Sequence, residues 1–172
     1  MNAPSSGYRI EGIGRRDFRV VDPRGHTLGE VRFRSWMNNN AEGGISGHAV
    51  RFVAPGIFQR APHRIQVDGQ DIGTIRFTWP GQCRIQLELG GRPWPLRMGP
   101  TGFFRHGLGL RTDQDVPLVD LKARWKWFAP PDYDLLFPGG SALSSEALPL
   151  VLVVTGYTAA LIRARRAAAG AA

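Results

Sequence analysis

The chain has 172 residues, enough for one domain with a sizeable core, and its 42% hydrophobic and 21% charged content exclude a disordered polymer. A formal net charge of +8, carried almost entirely by Arg with Lys only at Lys122 and Lys126, suits an anionic partner such as lipid headgroups or nucleic acid. Cys83 is the single cysteine, which excludes an internal disulfide and a cysteine-based zinc site.

"MNAPSSGYRIEG" has neither a basic n-region nor an apolar h-region. No secretory signal is read there, residues 1–7 are read as a disordered tail, and the expected location is the cytoplasm. From Tyr8 to about Phe137 the dominant period is two. "EVRFRSW" sets Val31 and Phe33 against Arg32 and Arg34, and "TIRFTW" sets Ile75 and Phe77 against Arg76 and Thr78. "CRIQLEL" sets Ile85, Leu87 and Leu89 against Arg84, Gln86 and Glu88. "DLKARWKWF" sets Leu121, Ala123, Trp125 and Trp127 against Lys122, Arg124 and Lys126. Such alternation marks strands with one buried and one wetted face. Strand cores are predicted at 8–13, 17–22, 27–36, 46–53, 63–68, 71–79, 83–90, 93–98, 102–111, 116–128 and 132–137.

Turn signals part them at short intervals: "DPRG" at Asp22–Gly25, "DGQ" at Asp68–Gln70, "PGQ" at Pro80–Gln82 and "GG" at Gly90–Gly91. Short strands so spaced predict an antiparallel sandwich or barrel. "WMNNNAEGGISG" (Trp36–Gly47) reads as one long irregular connection. "LGEVRF" (Leu28–Phe33) is echoed by "IGTIRF" (Ile72–Phe77), one hairpin design used twice, with Gly relieving crowding where a strand bulges.

The final element, "LPLVLVVTGYTAALIRARR" (Leu148–Arg166), is apolar on every side, so it belongs in a bilayer or a core. Its uncharged run falls short of the ~20 residues of a spanning helix and contains Pro149 and Gly156. The strands decide between the two. A closed barrel of about 11–12 strands has a lumen too wide for its own side chains, and an apolar lumen must be filled. The expectation is therefore an all-β closed antiparallel barrel, residues 8–166, enclosing a central helix over about 149–166. Leu150, Val151, Val154, Tyr157 and Leu161 would form the helix's core face, Gly156 and Ala160 would permit close passage past the sheet, and 167–172 would be a flexible tail.

Reaction chemistry is not evident. His26, His48, His63 and His106 lack metal-ligand spacing and read as turn or strand-surface residues, and there is no nucleophile elbow, phosphate loop or dinucleotide motif. Asp113 with Asp115 and Asp132 with Asp134 read as solvated turns. No metal, cofactor or catalytic residue is assigned. Phe33, Phe77 and Trp125 share the inward parity of their aliphatic neighbours, which argues against base stacking and so against nucleic acid. The outward residues Arg32, Arg34, Arg76, Lys122, Arg124 and Lys126 form the candidate patch for anionic headgroups.

On "FRVVDPRGHTLGEVRF" (Phe18–Phe33), its echo "IQVDGQDIGTIRF" (Ile65–Phe77) and the terminal "LPLVLVVTGYTAALI", the chain resembles the tubby C-terminal-like superfamily, which includes the LURP-one-related proteins and the phospholipid scramblases. The resemblance is one of architecture over about Tyr8 to Arg166 rather than of residue identity. It implies a barrel around a central helix and a lipid-binding or adaptor module rather than an enzyme, phosphoinositide binding at the membrane being the best-understood function of that superfamily, but it carries over no headgroup-binding residue. No calcium-ligating loop of the scramblase kind is found. Three readings remain open: a lipid-surface module peripheral to the membrane, a protein–protein adaptor, and a tail-anchored protein with residues 147–162 in the bilayer.

Overall fold

Two-residue turns with positive φ at both positions match the right-handed twist of the strands they join. Among the described residues three occur: Ser46–Gly47, Asp68–Gly69 and Gly90–Gly91, with φ values of 48 and 87, 50 and 81, and 57 and 71°. They punctuate a meander of β1 (Arg9–Gly12), β2 (Phe18–Val21), β3 (Thr27–Phe33), β4 (Ala41–Ile45), β5 (His48–Val53), β6 (His63–Val67), β7 (Gln70–Thr78), β8 (Gln82–Leu89), β9 (Arg92–Thr101), β10 (Gly107–Thr112), β11 (Pro117–Lys126) and β12 (Ala129–Leu136), followed by α1 (Leu148–Gly170). The computed structural model describes residues 7–35, 37–56, 61–78, 81–101, 107–127, 129–138 and 143–170. The predicted positions 36, 79, 102–106 and 128, together with residues 1–6 and 171–172, lie outside these.

Each strand pairs antiparallel with its neighbours in sequence, and β1 closes on β12 through Arg9↔Asp134 and Ile10↔Tyr133, so the sheet is a closed barrel. α1 fills it. Val151 to Ile162 are all buried, with Tyr157, Leu152 and Leu161 among the largest enclosed side chains, while Leu150 is half-buried at the entrance. The helix has the length and hydropathy to cross a membrane, but its apolar faces meet Ile65, Ile75, Leu87, Leu96, Leu110 and Leu135 of the wall in one core. Thr155 and Thr158 tolerate burial because their hydroxyls donate to the carbonyls of Val151 and Val154 at 2.7 and 2.8 Å. Ser144 caps the start, its Oγ accepting the Ala147 N–H at 3.3 Å, and Pro149 falls in the first turn, where it forfeits no bond. At the far end the helix continues past Arg166 to Gly170, since Ala167–Ala169 are strong helix formers.

The helix runs off-centre, closest to β2, β3 and β4. Two glycines make that approach possible. A Cβ on Gly29 would sit 2.7 Å from Val153 Cγ2, and one on Gly156 would collide with the Phe18 ring. The echoed hairpins carry the same irregularity: register slips beside Gly29 in the β2–β3 pair and beside Gly73 in the β6–β7 pair, leaving Leu28 and Ile72 as the extra residues.

Four expectations are corrected. Ala41–Ile45 forms β4, not part of a long loop; "AEGGI" reads as coil, yet a side chain at Gly43 would strike the Glu30 carbonyl of β3. His63 faces the interior at 4% exposure. Asp132 and Asp134 lie on β12, not in a turn. Trp125 and Trp127 are 85% and 92% exposed, because the register shifts between Arg124 and Lys126 and β11 has by then passed the described end of its pairing with β10.

Candidate functional site

β3, β7 and β11 stand four strands apart each way around the closed wall, so the three predicted basic ladders face three directions. All six residues do point outward. On β3, Arg32 is bound to Glu30 at 2.7 Å, and Arg34, just past the strand's end, is bound to Glu42. On β11, Arg124 and Lys126 meet Asp134 and Asp132 at 3.6 and 2.6 Å, and Lys122 stands directly opposite Asp134. These ladders are largely neutralised by neighbouring strands.

Arg76 is different. Its cross-strand partner on β7–β8 is Arg84, the partner of Arg84 on β8–β9 is Arg97, and the partner of Arg97 on β9–β10 is Arg111. Four guanidinium groups therefore line up in direct register over adjacent strands, a belt about 14 Å wide at the usual strand spacing. Like charges placed directly opposite destabilise a sheet. The only carboxylate in ion-pair distance of the belt among the described residues is Asp115, 3.3 Å from Arg97 and 3.8 Å from Arg111. Arg97 also donates to the Asp113 carbonyl at 3.3 Å. Asp120, across the β10–β11 pair, has a carboxyl pushed up by burial, against which Arg111 pulls the other way.

The rows on either side of the belt are short. Thr74, Gln86 and Pro95 flank it on one side; Thr78, Gln82, Gly99 and Gly109 flank it on the other. Two shallow hollows of about 510 and 560 Å³ result, with Arg84 and Arg97 lining both. Their chemistry is planar, multidentate donation to oxyanions, for which Arg is suited.

A second polar cluster sits inside, where α1 leaves the barrel. The Tyr157 hydroxyl donates to the Asn39 carbonyl at 2.7 Å and so accepts from His63 Nδ1 at 2.8 Å, which places a proton on Nδ1. Burial, helped by Arg165, pushes the His63 pKa down to about 4, and burial also raises that of Tyr157. Phe33 and Phe52 sandwich the Tyr157 ring at 5.5 and 4.0 Å, and Arg16 and Arg165 cover Phe33 and Phe77 at 4.4 and 4.2 Å. Cys83 is enclosed and its thiol pushed up to about 12, chiefly by burial. This cluster locks the helix to the wall. Among the described residues no group of three or more His, Cys, Asp or Glu is placed to hold a metal.

The chain matches no family model, no curated protein and no solved structure.

Of the four belt residues only Arg76 is among the candidates that alternation alone selects. Arg84 stood in plain view as an outward residue of "CRIQLEL", and a two-residue turn at Gly90–Gly91 that pairs Leu89 with Arg92 necessarily pairs Arg84 with Arg97. Register arithmetic from the turn was the usable signal.

Proposed function

We propose that this protein is a non-catalytic binding module that holds anionic phospholipid headgroups at a membrane surface, using Arg76, Arg84, Arg97 and Arg111. The observation that carries this reading is the belt's direct register with one shared carboxylate. A barrel that needed only solubility would gain by interleaving charges, as its own β3 and β11 do. A row of four arginines with a single shared carboxylate is instead explained by an oxyanion-bearing partner that supplies the missing charge. The open, shallow form of the hollows suits a headgroup lying on the wall better than a small molecule that must be enclosed. The likeness to the tubby C-terminal-like superfamily supports the same class of partner.

The test is co-sedimentation with vesicles of phosphatidylcholine, with and without an anionic lipid. Binding should require the anionic lipid and fall steeply with salt, and replacing Arg84 and Arg97 by Glu should abolish it. Because the same change of charge relieves repulsion, Arg84→Gln should leave the protein as stable or more stable, by about 0.2–1 kcal/mol in a urea melt. Binding that ignores lipid charge or survives the double Glu variant would remove the proposal.

A further inference from the structure

β11 and β12 form a hairpin that reverses between Lys126 and Ala129. Its described pairing to β10 ends at Leu121 and its ladder to β1 at Tyr133, with Gly12 still packed against Pro130, so among the described residues Arg124–Trp127 pairs with β12 alone. There the chain places two tryptophans in water, Trp125 at 85% and Trp127 at 92% exposure, alternating with Arg124 and Lys126. Large apolar surface left out at a hairpin end marks a contact site rather than a packing accident.

What surrounds the tip identifies the partner. The next connections around the same rim expose Ile13 at 41% and Met37 at 69%. α1 ends beside them, with Arg163 donating to the Arg15 carbonyl at 3.3 Å and Arg166 packed on Gly81. Arg15, Arg163 and Arg166 have no carboxylate in ion-pair distance among the described residues, whereas the tip's own carboxylates are occupied by Lys126 and Arg124. The opposite end of the barrel carries Asp22, Asp68, Asp113 and Asp115 on its turns. Tryptophan rings interleaved with cations, within a basic rim, are the chemistry of the headgroup layer of an anionic bilayer. There the ring is half in hydrocarbon while the cations meet phosphates.

We propose that the β11–β12 tip is a membrane finger: Trp125 and Trp127 enter the interface of an anionic bilayer while Arg15, Arg163 and Arg166 hold the rim against it. The inference shares with the proposed function only the class of partner. It adds a separate contact and gives the barrel an orientation, with the end where α1 emerges facing the lipid.

The experiment uses the full chain with phosphatidylcholine vesicles, with and without phosphatidylserine and with acyl chains brominated for depth-dependent tryptophan quenching. The wild type should bind the anionic vesicles and be quenched. Trp125→Ala with Trp127→Ala, which touches no core, should melt like the wild type yet bind at least about tenfold more weakly and lose the quenched component. Unchanged binding and quenching in that variant would overturn the finger, and if the Arg84 and Arg97 variants then still lost binding, the belt would stand alone. Loss on tryptophan removal with normal binding by the arginine variants would keep the finger and remove the belt. A wild type that ignores anionic vesicles but retains single-stranded RNA through the two tryptophans would overturn the bilayer as partner.

Discussion

At one end of the barrel the strands are joined by short turns: Ser46–Gly47, Asp68–Gly69, Gly90–Gly91 and the Asp22–Gly25 reversal, whose Asp22 Oδ1 accepts the Arg24 and His26 N–H groups at 2.9 and 2.8 Å. At the other end most connections are longer, the helix emerges between them, and arginines and exposed aromatic side chains crowd the rim. The first end is held by backbone geometry, since positive φ and Asp-to-backbone bonds specify the turns without a core. The second is held by packing, through Tyr157 and the rings stacked on it. Among the described residues, the end that backbone chemistry can close by itself presents no large exposed apolar side chain beyond Val116, and the end that needs a plug is where contact chemistry accumulates.

Removing the plug is the most severe way to probe this contrast. Deleting Leu148–Ala172 strips the wall of the side chains that fill its lumen, and a typical domain is stable by only about 5–15 kcal/mol. The product should be insoluble or lack a cooperative melt, even though every turn at the opposite end is intact. A soluble, cooperatively melting barrel would show that the turns suffice.

Acid should loosen the packed end next. His63 takes up a proton near 6.5 when unfolded and only near 4 inside the barrel. Between those values the unfolded state binds more protons, so stability falls as pH drops through the window, by roughly 2–3 kcal/mol in all. Urea melts across that range should show the loss in the wild type and a clearly smaller one in His63→Gln. Equal losses would place the acid sensitivity elsewhere.

The turn end should give the smallest response. At φ 81° Gly69 adopts a backbone that L-residues resist, and Gly69→Ala should cost about 1–2 kcal/mol without altering the acid response. A loss as large as that from deleting the plug would break the division between the two ends.

The same division governed what could be read from the residues. Asp68–Gly69 and Gly90–Gly91 are short-range signals, and period-two alternation needs only neighbours, so strands, turns and closure were legible. The helix was legible because a uniformly apolar segment has few places to go. β4 was not, because Gly43 is present for the carbonyl of a strand distant in sequence, and locally it looks like coil. The arginine belt depends on three successive registers, of which alternation supplies none. Trp125 was misread because parity holds only while a strand has an inside to face.

The seam between β1 and β12 has a consequence for biosynthesis. Every other strand pair forms between consecutive segments, but this one joins the first to the last, and the helix follows it in chain order. As the polypeptide leaves the ribosome, the greasy lining of an unfinished cup is displayed with no lid and no filling until β12 and α1 arrive. Long-range closure of that kind is slow and prone to aggregation. Production of this protein should therefore respond more strongly to holding chaperones than its modest size suggests.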